Sequence, residues 1–554
     1  MDDTSKIAHK TLAPLIVQRA GVVASKLCRA CLPTALCVVL AWIWSNAFTG
    51  EFHSDTADTI LWADAFCKDG ALFSPTFQYG YFIPFAGNLL YYPMIKIFGF
   101  GMCAVKAGMS AFACLFALAL WGLFRSMKWS KAGASFASGI VLMTLCASMK
   151  LREIFFGHII HYSLIAVFLF ACFSLLAETP AFGRGVTTRS KLRFLSYCLL
   201  IFWASSCELN VLMLVPGTII VAILAFHFFE ERPLVQFERQ DLQTILATFA
   251  SAVAGLFVYK LCESGVALSR YNDKYEVFSR PESWGEQLQS LPFSFINLIA
   301  DVTPDCKILS IQGIIGSVGV CAAVCAGLAP VIAFFFYSSF NKKEKMFLWA
   351  HWFAACAVIY YWVFGTISNV NWRLGNVVAT SLVVSLMLMR NIWTHSKSLV
   401  QRRIVCIFGA LLVLASIVFG VGAFVNGFGE KVWFANDALI AKLKAKGVHK
   451  AYCTDFWFSN AVTVVTDGDI VVREVICPKS KGIWTHRKYQ NDDKWYAKSA
   501  DLKRTALVCM PGQAKMAPEN GLISKFECDQ YDVRNRKSKH LSVLVYEGDV
   551  PFVQ

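Results

Sequence analysis

Three carboxylates, Asp55, Asp58 and Asp64, fall within EFHSDTADTILWADAF (Glu51–Phe66), directly after the first long apolar run of the chain. If this stretch is helical, Asp55 and Asp58 are three apart and share a face, while Leu61, Trp62 and Ala65 turn towards the membrane. A carboxylate held half-dry at a water–lipid boundary keeps its proton more tightly and can serve as a general base. A plainer role fits the same residues: Ser54 or Asp55 would cap a helix beginning at Thr56. The counterpart of such a base is a cationic grip for a phosphate, and the Arg fork holds two oxygens at once. Arg152, Arg270 and Arg373 stand at the ends of apolar runs, where an Arg either binds an anion or snorkels to the interface. In GHIIHYS, His158 and His161 are three apart and would share a helix face. They could begin a metal site, but the sequence offers no third ligand. No metal and no cofactor is therefore expected, and hydrogen bonding to substrate or to neighbouring helices is the preferred role. Glu208, in CELNVLML, lies close to the membrane and is either a functional carboxylate or a helix cap.

The elements that must position these residues are mostly membrane helices. Of the 554 residues, 56% are hydrophobic and 16% charged, with a mean hydropathy of +0.52; soluble chains carry roughly 25% charged residues. The formal net charge of +15 does not point to nucleic acid, because the basic residues fall in short loops between apolar runs and in the tail. Neither zinc-finger spacing nor a phosphate-binding glycine loop is present. The 20 cysteines are mostly scattered through apolar runs without CxxC pairs, as small hydrophobes rather than metal ligands. Runs near 31–49, 102–124, 133–149, 154–177, 193–207, 209–229, 242–262, 309–337, 346–366, 374–392 and 403–425 predict about 11 spans. CLPTALCVVLAWIW follows basic residues but no small-residue cleavage site comes after it, so it reads as an uncleaved first span.

Charge sets the expected orientation. Basic clusters lie before residue 30, at Arg125/Lys128/Lys131, at Arg184/Arg189/Lys191/Arg193, around Arg232/Arg239, at Lys342/Lys343/Lys345 and at Arg390/Lys397/Arg402/Arg403. All fall on the cytoplasmic side if YFIPFAGNLLYYPMIKIFG, residues 82–100, lies on the membrane surface rather than crossing it. The N-terminus is then cytoplasmic. A long first outer loop (50–101), a turn near 150–158, a second long loop (263–308), SNVNWR with Arg373, and everything after about 425 lie outside. The tail, 426–554, reads as a small α/β domain: DALIAKLKAKG as a helix closed by Gly447, AVTVVTDGDIVVREVI as a hairpin about Asp-Gly, and TALVCM and LSVLVYEG as strands.

SDTADTILWADAF, KDGALFSP and YFIPF…YYPMIKIFG resemble the first outer loop of GT-C integral-membrane glycosyltransferases, which use polyprenyl-phosphate-linked sugars. The segment AYCTDFWFSNAVTVVTDGDIVV resembles the outer domain of bacterial members of that class. The resemblance implies a multi-spanning helical membrane protein with a small extracytoplasmic domain. It implies inverting transfer of a sugar from a polyprenyl-phosphate donor to a glycan, lipid or protein of the cell envelope. Asp55 best matches the position of the catalytic Asp, Asp58 comes next, and 82–100 matches the juxtamembrane helices. The chain departs from the class in having Asp55-Thr56 in place of Asp-Glu, Ile60 in place of an aromatic, and Arg373-Leu374 in place of Arg-Tyr. The rival readings are a non-catalytic scaffold on the same frame and a lipid transporter or flippase. A transporter should carry a midplane site and internal repeats, and the sequence shows no such repeat.

Overall fold

In the computed structural model, residues 3–71, 73–176, 187–230, 237–269, 277–300, 302, 306–366, 371–428, 436–497, 502–532, 537–550 and 553 are described. Arg184, Arg232 and Arg270 lie outside the described residues.

Among the described residues, eight helices are long and apolar enough to cross a bilayer: Val22–Trp44, Met102–Ser126, Leu209–Phe229, Arg239–Glu263, Ile311–Phe335, Lys342–Phe364, Asn371–His395 and Leu399–Val425. Lys131–Thr144 and Met149–Gly157 make a ninth if a pair bent by 116° is counted as one span. The other two expected spans fall on His161–Leu175 and Thr188–Cys207. His161–Leu175 has 15 residues, which at 1.5 Å per residue is roughly 22 Å, short of a bilayer core of about 30 Å. Thr188–Cys207 begins with Arg189, Lys191 and Arg193, which dilute its apolar run. Outward-facing Leu118, Phe257 and Leu261 are each more than half exposed, as lipid-facing side chains must be.

The bend between Lys131–Thr144 and Met149–Gly157 makes a polar turn. The Ser148 hydroxyl accepts from the Leu151 N–H at 3.0 Å and donates to the Leu298 carbonyl at 2.6 Å. That cap starts a new helical turn and sets Lys150, Arg152 and Glu153 on it. Segment 82–100 contains only a 12-residue helix, Gly87–Phe98. It packs closely: a Cβ at Gly108 would lie 2.3 Å from the Tyr91 ring.

Among the described residues, nine strands build two sheets. β1 (Phe77–Tyr79) belongs to the first long loop, β2 (Ala267–Leu268) to the second, and β6 (Asn491–Asp492) to the tail; β1 pairs with both of the others. This small sheet stitches the tail domain to the loops beneath it. The tail's own sheet contains β3 (Lys450–Cys453), β4 (Val471–Ile476), β5 (Thr485–His486), β7 (Arg504–Cys509), β8 (Leu522–Asp532) and β9 (Lys537–Glu547), in the order β5-β4-β3-β7-β9-β8. The expected hairpin at 461–476 does not form. Phe456–Val465 is a helix, capped by the Asp455 side chain on the Trp457 N–H at 3.0 Å, and β3 and β4 run parallel. Parallel neighbours need a crossover rather than a tight turn, and the Val-rich helix supplies it. Asp467 of the Asp-Gly turn docks on the bundle, accepting from the Met102 N–H at 3.0 Å. Asp437–Ala445 forms the expected helix, and Gly447 takes a φ of 64°. All 20 cysteines are free thiols.

Candidate active site

The first long loop opens with the helix Ser54–Asp69. His53, not Ser54 or Asp55, occupies its N-cap, with the His53 N–H donating to the Thr56 hydroxyl at 2.9 Å. Ser54 is unavailable as a cap because the tail uses it: its hydroxyl donates to the Phe456 carbonyl and accepts from the Asn460 N–H. Trp62 faces the tail rather than the membrane, donating from its indole N–H to Gln490 at 2.9 Å. The start of this helix is therefore held by a domain some 400 residues away in sequence.

Asp55 and Asp58 do share a face, as their spacing requires. Asp55 is half-buried and Asp58 fully buried. The Tyr81 hydroxyl donates to the Asp58 carboxylate at 3.2 Å, and the Asn460 side chain lies beside it. Burial first, and the neighbouring Asp55 second, push Asp58 well above the usual carboxylate range. Asp58 therefore holds a proton more tightly than an ordinary carboxylate, and Asp55 is the carboxylate on the more open side. Asp64, one turn further, is committed to Lys68 at 2.6 Å.

Other elements bring side chains close to Tyr162, which itself feels the charge of Asp55. The Tyr162 hydroxyl bonds to the Trp372 side chain and lies close enough to Arg373, Glu208 and Asp55 to feel their charges. His161 Nδ1 is 3.3 Å from a Glu208 oxygen, and its ring stands edge-on to Tyr81. Glu208 is extended (φ −169°, ψ 157°) between two helices and accepts from Asn210 at 2.8 Å. Arg373 sits in the short turn Asn371–Leu374 at the head of Gly375–His395. Leu374 and Val377 help to line an apolar cavity of about 320 Å³, together with Phe295, Ile296, Trp352 and Ile359.

A second group sits beside the first. Arg152 is held by Glu51 at 2.6 Å and donates to the Cys146 carbonyl at 3.0 Å. Lys150 pairs with Glu153 and lies 4.4 Å above the Trp372 ring. His158 and His161 do not share a helix face. Glu153–Gly157 is a wide π-turn, His158 is extended after it, and His161 starts the next helix. His158 Nε2 points to Glu153 at 3.4 Å, and His53 Nε2 reaches the same oxygen at 2.9 Å. The donor atoms of His53, Glu153 and His158 lie within 4.8 Å of one another, which makes them the residues able to hold a metal among those described. Tyr81, Tyr162, Trp372 and Asn460 carry no sequence signal of their own, and distant segments bring them in.

No protein-family model matches the chain, and no curated protein matches it. Among solved structures, the crystal structure of ArnT from Cupriavidus metallidurans bound to undecaprenyl phosphate aligns with a TM-score of 0.54 at 10% identity, covering 92% of this chain and 97% of that one. The chain has a GT-C fold. The structure of ArnT in the apo state covers 89% of this chain at 10% identity, with a TM-score of 0.42. In this GT-C frame the Asp55 helix, the Lys150–His158 turn, Glu208 and the Arg373 turn all gather at the end of the bundle that carries the tail domain.

Proposed function

We propose that the protein is an inverting membrane glycosyltransferase that moves a sugar from a polyprenyl-phosphate donor to a hydroxyl of a cell-envelope glycan, lipid or protein. The observation that carries this reading is that Asp55, Glu208 and Arg373 all lie within electrostatic reach of Tyr162, in a GT-C fold where Leu374, next to Arg373, lines an apolar cavity. Asp55 takes the proton of the acceptor hydroxyl. The oxygen attacks the anomeric carbon from the face opposite the phosphate. The bond from that carbon to the phosphate oxygen breaks, and its electron pair leaves with the polyprenyl phosphate. Arg373 holds the phosphate and stabilises the charge that grows on it. The apolar cavity takes part of the isoprenoid chain. Asp58, whose proton is held more tightly by burial, keeps its place through Tyr81, and Glu208 with His161 orients the sugar. Arg152, held by Glu51, fixes the turn beside the site. Arg270 is a further candidate for the phosphate.

The same reading sets the orientation. Arg390 donates to the Met127 and Lys128 carbonyls, and Asn341 donates to Met127, so three basic segments meet at one end of the bundle. Basic loops stay cytoplasmic, which puts the site and the tail domain outside. That the solved ArnT structure holds undecaprenyl phosphate supports a polyprenyl carrier here.

The test is transfer itself. Purified protein in detergent, given a panel of radiolabelled polyprenyl-phosphate sugars and envelope lipid extract, is expected to move label from at least one donor to acceptor. Flux of a donor across liposomes without any sugar transfer would favour a transporter instead.

A further inference from the structure

We propose that His53, Glu153 and His158 bind a single transition-metal ion of the zinc type, which clamps the start of the Asp55 helix to the Lys150–His158 turn. The three ligands come from two loops that meet only in the folded protein. His53 is the N-cap of the Ser54–Asp69 helix. Glu153 opens the π-turn, and His158 closes it by donating its N–H to the Glu153 carbonyl at 3.0 Å. In an α-helix, residues five apart point about 140° away from each other, at roughly 100° per residue. The π-turn and the extended backbone of His158 (φ −120°, ψ 146°) remove that obstacle and return the imidazole to the carboxylate. Such wide turns recur at functional sites.

The spacing of the donors fits a small tetrahedral ion. With bonds of about 2.0–2.1 Å, neighbouring ligands on a tetrahedron lie roughly 3.3–3.4 Å apart. Glu153 Oε1 lies 2.9 Å from His53 Nε2 and 3.4 Å from His158 Nε2. The other Glu153 oxygen is held by Lys150, so a single oxygen is presented to both imidazoles. An outer partner of this sort commonly orients a metal ligand. The side chains are 12%, 6% and 5% exposed, and Trp457 of the tail covers His53 with ring centres 6.0 Å apart. Two imidazoles and one carboxylate suit zinc and its neighbours. Calcium or magnesium would ask for more oxygens. Three protein ligands leave a fourth position for water.

The alternative is a Glu153 carboxylate that only accepts hydrogen bonds from two imidazoles, and metal titration separates the two. Full-length protein in detergent, stripped with a chelator and dialysed, is titrated with Co²⁺ as a spectroscopic stand-in for Zn²⁺. The site predicts a tetrahedral visible band that saturates at one equivalent and is displaced by Zn²⁺. His53→Ala, Glu153→Gln and His158→Ala should each weaken binding at least about tenfold, while His161→Ala should leave it intact. Zn²⁺ should also raise the unfolding temperature of the wild type and not that of His158→Ala. Absence of a saturable band in the wild type overturns the proposal, whatever the variants do. A band lost in His161→Ala and kept in His53→Ala overturns it equally, because the ligands would then be a different set.

Discussion

At the end of the bundle away from the tail domain, Lys342 lies 2.7 Å from both Glu238 and Asp241, and His227 reaches Asp241 at 2.7 Å. Lys345 meets Glu230 at 2.5 Å, and Arg390 meets Glu344 at 3.0 Å. These are opposite charges brought together, the arrangement a fold uses to bury charge at tolerable cost. At the other end, Asp55 and Asp58 lie one turn apart on one helix, and Asp58 is buried against its like-charged neighbour. Two carboxyl groups kept this close raise each other's proton affinity, which is the arrangement the proposed reaction would use. The difference separates a charge-paired end from the end proposed as the active site, and each makes its own predictions.

The largest expected effect is at the reactive end. Arg373→Ala should lower transfer by about 10²-fold, the usual loss when one donor to a developing charge is removed. Rates measured at saturating donor would show it with the unfolding temperature unchanged. A fall in stability with transfer intact would move Arg373 into the structural class. The mirror experiment is Lys342→Ala, which leaves the buried Asp241 without its nearest ammonium group. It should cost about 1–3 kcal/mol of stability without changing transfer by the folded fraction, as thermal unfolding and turnover on one preparation would report. The smallest effect on turnover belongs to Asp58→Asn. Asp58 is not the base in the proposed mechanism, so turnover should fall by less than about threefold, against the 10²–10⁴ that a general base supplies. Its stability should respond to pH instead. The folded pKa of Asp58 is raised above its unfolded value near 3.8, so the folded state holds the extra proton and the wild type loses stability as pH rises above that value. Asp58→Asn removes this loss. The difference between the two unfolding temperatures should therefore shift in favour of Asp58→Asn from pH 4 towards pH 8, and a constant difference would contradict a raised Asp58 pKa.

Much of this architecture is legible in the sequence because its signals are local. Long apolar runs can only be buried or lipid-facing, and eight of the expected spans fall on helices long enough to cross a bilayer. Asp55 and Asp58 share a face because three residues nearly complete a helical turn. Gly87–Phe98, at 12 residues, is too short to span a bilayer core of about 30 Å. The misreadings arise where distant parts decide. AVTVV favours a strand by its β-branched residues, yet the parallel pairing of β3 and β4 makes it a crossover helix. His158 and His161 look like a helical pair until a π-turn sends one to Glu153 and the other to Glu208. His53 sits in plain view two residues before Asp55, but nothing near it in the chain announces Glu153. Asn460, Gln490 and Trp457 reach the site from the tail domain, and no periodicity in either segment records that meeting.

The central claim is that Asp55 removes a proton from the acceptor. Donor binding and sugar transfer should be measured side by side for the wild type and Asp55→Asn, in the same detergent and with the same labelled polyprenyl-phosphate sugar. The account predicts unchanged donor affinity and transfer reduced by about 10³-fold, within the range for loss of a general base. Undiminished transfer in Asp55→Asn would contradict it, and the base would then have to be sought at Glu208.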